Sequence, residues 1–141
     1  MPQSSKTTAW ESATAPSLDD IEAIAAESFA KLPVEFRALC EGLIIHVVDF
    51  PDEETLEQMD AGSEFDLLGL FRGRDLAHRG VSDVTGEMPN MVWLYRRPLL
   101  DFWCEGEDTL GEVVTHVLVH EIGHHFGLSD EDMEAIEASV E

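Results

Sequence analysis

The apolar residues that follow Ser17 recur at the spacing of one helix face: Ile21, Ile24, Ala25 and Phe29. Ser17 is a favoured N-cap residue, and the acids at positions 19 and 20 suit the first turn of a helix. Because Pro33 stops the run, the pattern predicts a helix that begins at Ser17 and ends before Pro33. A short second helix is expected over 34–40, closed by Gly42.

Three stretches in the middle of the chain have the composition of strands. The continuous apolar run 42–50 contains several β-branched residues and ends at Pro51. Two further candidates, 66–71 and 91–96, are joined by a polar segment that contains glycine, and together the three stretches predict a meander with one irregular connection. The acid-rich stretch 52–59 suits either a helical turn or a loop.

A long amphipathic helix is predicted near the C-terminus, with Asp108 or Thr109 as its cap and Gly127 at its end. Its apolar side comprises Leu110, Val113, Val114, Val117, Leu118 and Phe126. Ser129 can cap a last short helix with Met133 and Ile136 facing inward. The order helix, strands, long helix and short helix predicts an α+β domain, in which the long helix packs on a small antiparallel or mixed sheet.

The length and composition fit one domain. The chain has 141 residues, of which 44% are hydrophobic, enough to bury a core without staples. Residues 1–16 lack any apolar period and are expected to be a flexible tail, so the predicted domain is 17–141. We find neither a secretory signal nor an apolar run of the roughly 20 residues that span a bilayer, and the two cysteines form no motif. These features favour the cytoplasm.

The formal net charge of −22 narrows the choice of partners. Such a surface repels phosphate backbones and anionic membranes, so nucleic acid and membrane are excluded as expected partners. The acids cluster in 52–66 and in 130–141. These clusters suit a solvated face that keeps the protein soluble, or a docking surface for a basic partner.

The segment that carries chemistry is His120-Glu121-Ile122-Gly123-His124, inside the long helix. Histidines four residues apart lie one turn apart on the same helix face, so both imidazoles can bind one Zn²⁺. Glu121 points about 100° away from His120. It is therefore placed to act as general base, accepting a proton from a zinc-bound water as that water attacks a carbonyl. The small Gly123 lets another element or the metal site approach closely.

Two histidines leave a third ligand to be found. Gly127 turns the chain after the motif, and Asp130 then completes the pattern His-Glu-x-x-His-x-x-Gly-x-x-Asp. Asp130 is therefore a candidate metal ligand, and its alternative role is that of an acid in the first turn of the last helix. His116, one turn before His120, can approach the site but is favoured as a packed or solvent-bridged histidine. Cys104 is a weaker candidate for a thiolate ligand.

The run from His120 to Leu128, with Leu68-Gly69-Leu70-Phe71 and Leu32-Pro33-Val34-Glu35-Phe36 upstream, resembles the small bacterial zincin-like metallopeptidases. The resemblance implies a minimal zincin-like fold, in which a small sheet lies beside the active-site helix. It also implies that a residue at the position of Asp130 completes the metal site.

Three functions remain open. The first is a zinc-dependent hydrolase, a metallopeptidase acting on a peptide or small amide that pairs along a sheet edge in a shallow groove. The second is a metal-bound interaction module with an acidic docking surface and little or no turnover. The third is a hydrolase of the same type with a non-peptide substrate. Glu121 favours catalysis, because a structural metal site needs no base.

Overall fold

The computed structural model describes residues 9–73 and 89–140, and within these ranges it contains a three-stranded sheet and, from Leu18 onward, six α-helices. In chain order the elements are α1 (Leu18–Ala30), α2 (Val34–Arg37), β1 (Ile44–Val48), α3 (Glu53–Gln58), β2 (Gly69–Arg72), β3 (Met91–Tyr95), α4 (Arg96–Glu105), α5 (Leu110–His125) and α6 (Asp130–Ala138). A 3₁₀ turn, Ala38–Cys40, extends α2. Residues 9–11 are also helical, ahead of the predicted domain start. The described helices include none with the length and apolar character needed to cross a membrane.

The sheet is mixed, with the strand order β1-β3-β2. β1 and β3 are parallel, with Ile44 opposite Met91, whereas β2 and β3 are antiparallel, with Gly69 opposite Leu94. The α+β class with a small mixed sheet is therefore confirmed. The prediction of a meander is wrong, because β3 lies between the two strands that precede it in the chain. A meander requires each strand to pair with the next one along the sequence.

The core lies between the sheet and the two longest helices. α5 packs against α1 on one side and against β2 and β3 on the other. Its fully buried residues, Val114, Leu118, Val119 and Ile122, meet Ile21 of α1 and Leu94 of β3 in one cluster. Gly69 permits the close approach of α5 to the edge of the sheet, since a Cβ there would lie 2.8 Å from a methyl group of Val117. The predicted long helix is thus confirmed as the central element of the domain.

Local sequence rules account for the helix boundaries. Ser17, Thr109 and Ser129 each form a capping box with an acid three residues later, and Gly127 adopts φ +78° after α5, as predicted. Asp52 caps α3, which settles the stretch 52–59 as mainly helical. α4 was not predicted. It contains Pro98 in its first turn, where a missing N–H breaks no intrahelical hydrogen bond.

Candidate active site and metal centre

Helix α5 presents three histidines on one face, at the successive turns 116, 120 and 124. The ring centroids of His120 and His124 lie 5.6 Å apart, with the ring planes nearly perpendicular. Two imidazoles that bind one tetrahedral zinc at 2.0–2.1 Å have their centroids about 5 Å apart. The centroid spacing of this pair is therefore close to that of two imidazoles that bind one zinc ion.

Glu121 is partly buried, whereas most acids in the described ranges are exposed. Burial raises the pKa of its carboxyl to about 7, well above its ordinary value of 4.5. The cause is desolvation, because an ionised carboxylate loses favourable hydration when apolar atoms replace water. A carboxyl group with a pKa near neutrality can accept a proton and return it at physiological pH, which is what general acid–base catalysis requires.

Tyr95, at the end of β3, lies close enough to Glu121 to respond to its charge. Burial raises the pKa of the Tyr95 phenol; the positive charge of Arg72 opposes this shift, and the negative charges of Asp52 and Glu121 add to it. Sequence reasoning missed Tyr95, because it was placed within a strand candidate without reference to the helix above it. Only the packing of α5 across the sheet brings the phenol and the carboxyl group into one environment.

The edge of the sheet runs beside the motif helix. β2 packs against α5, and Phe71 contacts His125 with a ring-centroid distance of 4.3 Å. Among the described strands, β2 pairs only with β3, on one of its two sides. An edge strand can pair with an extended chain through its backbone N–H and C=O groups. An edge strand therefore packs against the helix that carries the half-buried carboxyl group and the two motif histidines.

Glu137, on α6, joins two of the three histidines. One carboxylate oxygen lies 3.0 Å from Nδ1 of His116, and the other lies 3.0 Å from Nε2 of His120. The two rings are tilted by 34° with their centroids 4.0 Å apart. In the described part of the chain, these three residues form the one group of three or more candidate ligands whose donor atoms all lie within 4.8 Å of one another.

Asp130 lies on the wall of an open cavity of about 400 Å³ that also contains His116, His120, Glu134 and Glu137. The structure thus brings Asp130 to the same cavity as His120. Neither Asp130 nor His124 belongs to the close group of His116, His120 and Glu137. Asp130 is also in the first turn of α6, as its alternative role requires. Its assignment as a metal ligand stays a prediction.

Sequence reasoning also missed Glu137. Its signal was available, because Glu137 follows the inward-facing Met133 by one helical turn and therefore shares its face. The sequence does not show that this face of α6 packs against α5. Cys104, the weaker ligand candidate, is exposed and donates to the carbonyl oxygen of Asp101. Neither cysteine is in a disulfide bond.

Comparison with known proteins identifies the family of the chain. No curated protein matches the chain at a significant level. The family model described as "zincin-like metallopeptidase" matches residues 40–140, a range that extends from the end of the 3₁₀ turn to the end of the domain and includes the whole motif. Membership of this family implies zinc binding. The chain belongs to the zincin-like metallopeptidase family.

Proposed function

We propose that this protein is a zinc-dependent metallopeptidase in which Glu121 is the general base. The observation that carries the proposal is the combination of two motif histidines on one face of α5, with ring centroids 5.6 Å apart, and a half-buried carboxyl group between them in sequence. His120, His124 and Asp130 are the proposed ligands. When bound, zinc supplies a Lewis-acid centre that polarises water and a substrate carbonyl.

The role of Glu121 follows from its position and its pKa. It is the residue next to His120 in the chain, displaced by about 100° around the helix, so it can hold a water molecule without replacing a ligand. Its carboxylate takes the proton from the attacking water and then delivers it to the amine that leaves. Partial burial favours the protonated form between these two steps, because it costs the ionised carboxylate more hydration free energy than it costs the neutral carboxyl group.

The free side of β2 provides the place for a peptide substrate. An extended peptide can add to this edge through backbone hydrogen bonds, which recognise the main chain rather than particular side chains. Because β2 lies beside α5, such a peptide would run past the motif histidines. This arrangement favours a peptide over a compact non-peptide substrate, which has no repeating pattern of N–H and C=O groups.

The decisive variant is Glu121→Gln, which keeps the size and most of the polarity of the side chain but cannot accept a proton. Zinc-loaded protein should be assayed on a library of quenched fluorescent peptides. We expect turnover to fall by on the order of 10²-fold or more, the usual value of a positioned general base. The zinc content and the circular dichroism spectrum should stay unchanged.

Glu57→Gln is the matched control, because Glu57 is an exposed acid on α3, away from the motif helix. This variant should cleave peptides like the parent. Full activity in Glu121→Gln would overturn the assigned role of Glu121. A zinc-loaded parent protein that cleaves no member of the library would count against the peptidase and favour the interaction module, whose docking surface would be the acid-rich segments.

A further inference from the structure

We infer that His116, His120 and Glu137 form a second metal-binding site, which takes a borderline divalent cation such as zinc or cobalt. The site lies between α5 and α6. It includes His120, so an ion bound here takes the place of an ion bound by His120 and His124. The inference goes beyond the proposed function and does not require it. A chain that hydrolyses nothing would still bind metal here.

The donor set has the chemistry of a transition-metal site. Two imidazole nitrogens and one carboxylate form a combination that zinc accepts, with further positions left for water. A tetrahedral zinc at 2.0–2.1 Å holds neighbouring donor atoms about 3.3 Å apart. The two contacts of Glu137 are 3.0 Å long, so the carboxylate and each ring need to separate by only a few tenths of an ångström.

Helix packing holds the donors in place. Gly123 of α5 lies directly against Met133 of α6, since a Cβ on Gly123 would be 2.5 Å from the Met133 sulfur. Met133 is fully buried, and this contact fixes α6 against α5. The chain reverses at Gly127, so α6 runs back along α5. Glu137, one turn after Met133, therefore lies beside the turns of α5 that carry His120 and His116.

The surroundings favour a cation. The cavity of about 400 Å³ at this site is open to solvent and also contains the carboxylates of Asp130 and Glu134. Both are exposed acids on α6, and their negative charges raise the local concentration of cations. His116 is half exposed, so an ion can reach the site without unfolding any element.

His120 belongs both to this site and to the motif pair of His120 and His124. Its Nε2 atom faces Glu137 in the structure, and one nitrogen lone pair can bind only one ion. The two positions therefore compete for His120. We expect one metal equivalent per chain in total, with His120→Ala removing both sites and His124→Ala removing only the motif pair.

The test is a titration with Co²⁺ alone, followed by visible absorbance and calorimetry, in the His124→Ala background. This variant should still bind one Co²⁺ per chain. Adding either His116→Ala or Glu137→Gln should weaken binding by on the order of 10-fold or more, because each change removes one of three donors. Circular dichroism establishes that all variants have the same helix content.

His46→Ala in the same background is the matched control, since His46 lies on β1 and stacks on Trp93. It should leave the Co²⁺ affinity unchanged. The inference is overturned if His124→Ala binds no Co²⁺, or if His116→Ala and Glu137→Gln have no effect, which would make the Glu137 contacts an ion pair only. Loss of hydrolysis in Glu121→Gln tests the proposed function separately, because that variant retains all three donors.

Discussion

Cys40 and Cys104 are chemically identical, but Cys40 is buried and Cys104 is exposed. Burial raises the pKa of the Cys40 thiol to about 11, which leaves little reactive thiolate at neutral pH. The same physical cause acts on Glu121, whose carboxyl group is partly withdrawn from water while most acids of the chain are exposed. At the scale of single residues, hydration therefore decides which groups can take part in proton transfer.

This difference in hydration predicts a pH-dependent effect of Glu121→Gln on stability in metal-free protein. The pKa of Glu121 is about 7 in the folded state, against an ordinary value of 4.5 in an unfolded chain. The folded state therefore binds the proton more tightly, and its contribution to stability is complete below about pH 4.5 and is lost as the pH rises through about 7. Gln has no such loss.

The Tm of Glu121→Gln minus that of the parent, measured by calorimetry, should consequently increase between about pH 5 and about pH 8. Glu57→Gln should show no such trend, because Glu57 is exposed. A Tm difference for Glu121→Gln that stays constant across this range would contradict the raised pKa.

At the scale of the elements, one glycine decides how closely two helices pack. A Cβ at Gly123 would lie 2.5 Å from the sulfur and 2.9 Å from Cγ of Met133, which is fully buried. Gly111, in the first turn of the same helix, has no such neighbour, since the nearest atom to its Cβ position is 3.9 Å away. The two glycines of this helix therefore differ in how closely their neighbours pack.

We expect Gly123→Ala to lower the free energy of unfolding by about 1–3 kcal/mol, the usual cost of overpacking a filled core. Gly111→Ala should raise it by about 0.5 kcal/mol, because alanine loses less conformational entropy in a helix. Urea unfolding measures both values. Equal effects of the two substitutions would show that α6 does not pack against Gly123 as described.

At the scale of the whole molecule, charge is the dominant property. The net charge of −22 is what remains after every base has been counted against an acid, as in the ion pair of 3.0 Å between Arg96 and Asp49. The acids of α3 are exposed, and so are the acids in the first turn of α6. Within each group the like charges repel one another through water. This repulsion is present in the compact state and weaker in an expanded chain.

Added salt should therefore stabilise the protein. Screening shortens the range of the repulsion from about 30 Å at 0.01 M to about 3 Å at 1 M ionic strength. The midpoint of urea unfolding should rise between low and high concentrations of NaCl, measured without metal so that binding does not contribute. A midpoint that falls with salt would mean that attractive ion pairs outweigh the repulsion.

The sequence alone was sufficient for features that depend on near neighbours in the chain. Ser17 and Ser129 were identified as caps, and Thr109 as one of two alternatives with Asp108, because a helix cap depends on residues within four positions. The spacing of His120 and His124 required only the helix period, and the zinc-type motif followed from it. The α+β class followed from the order of the elements.

Contacts between distant segments were decided only by the tertiary structure. The position of β3 between β1 and β2, the pKa of Glu121 and the contacts of Glu137 with His116 and His120 each depend on which surfaces pack together. Neither a hydrophobic period nor a spacing specifies the partner of an element. That choice is made by the packing of the whole core, because the burial of one face depends on the shape of every other.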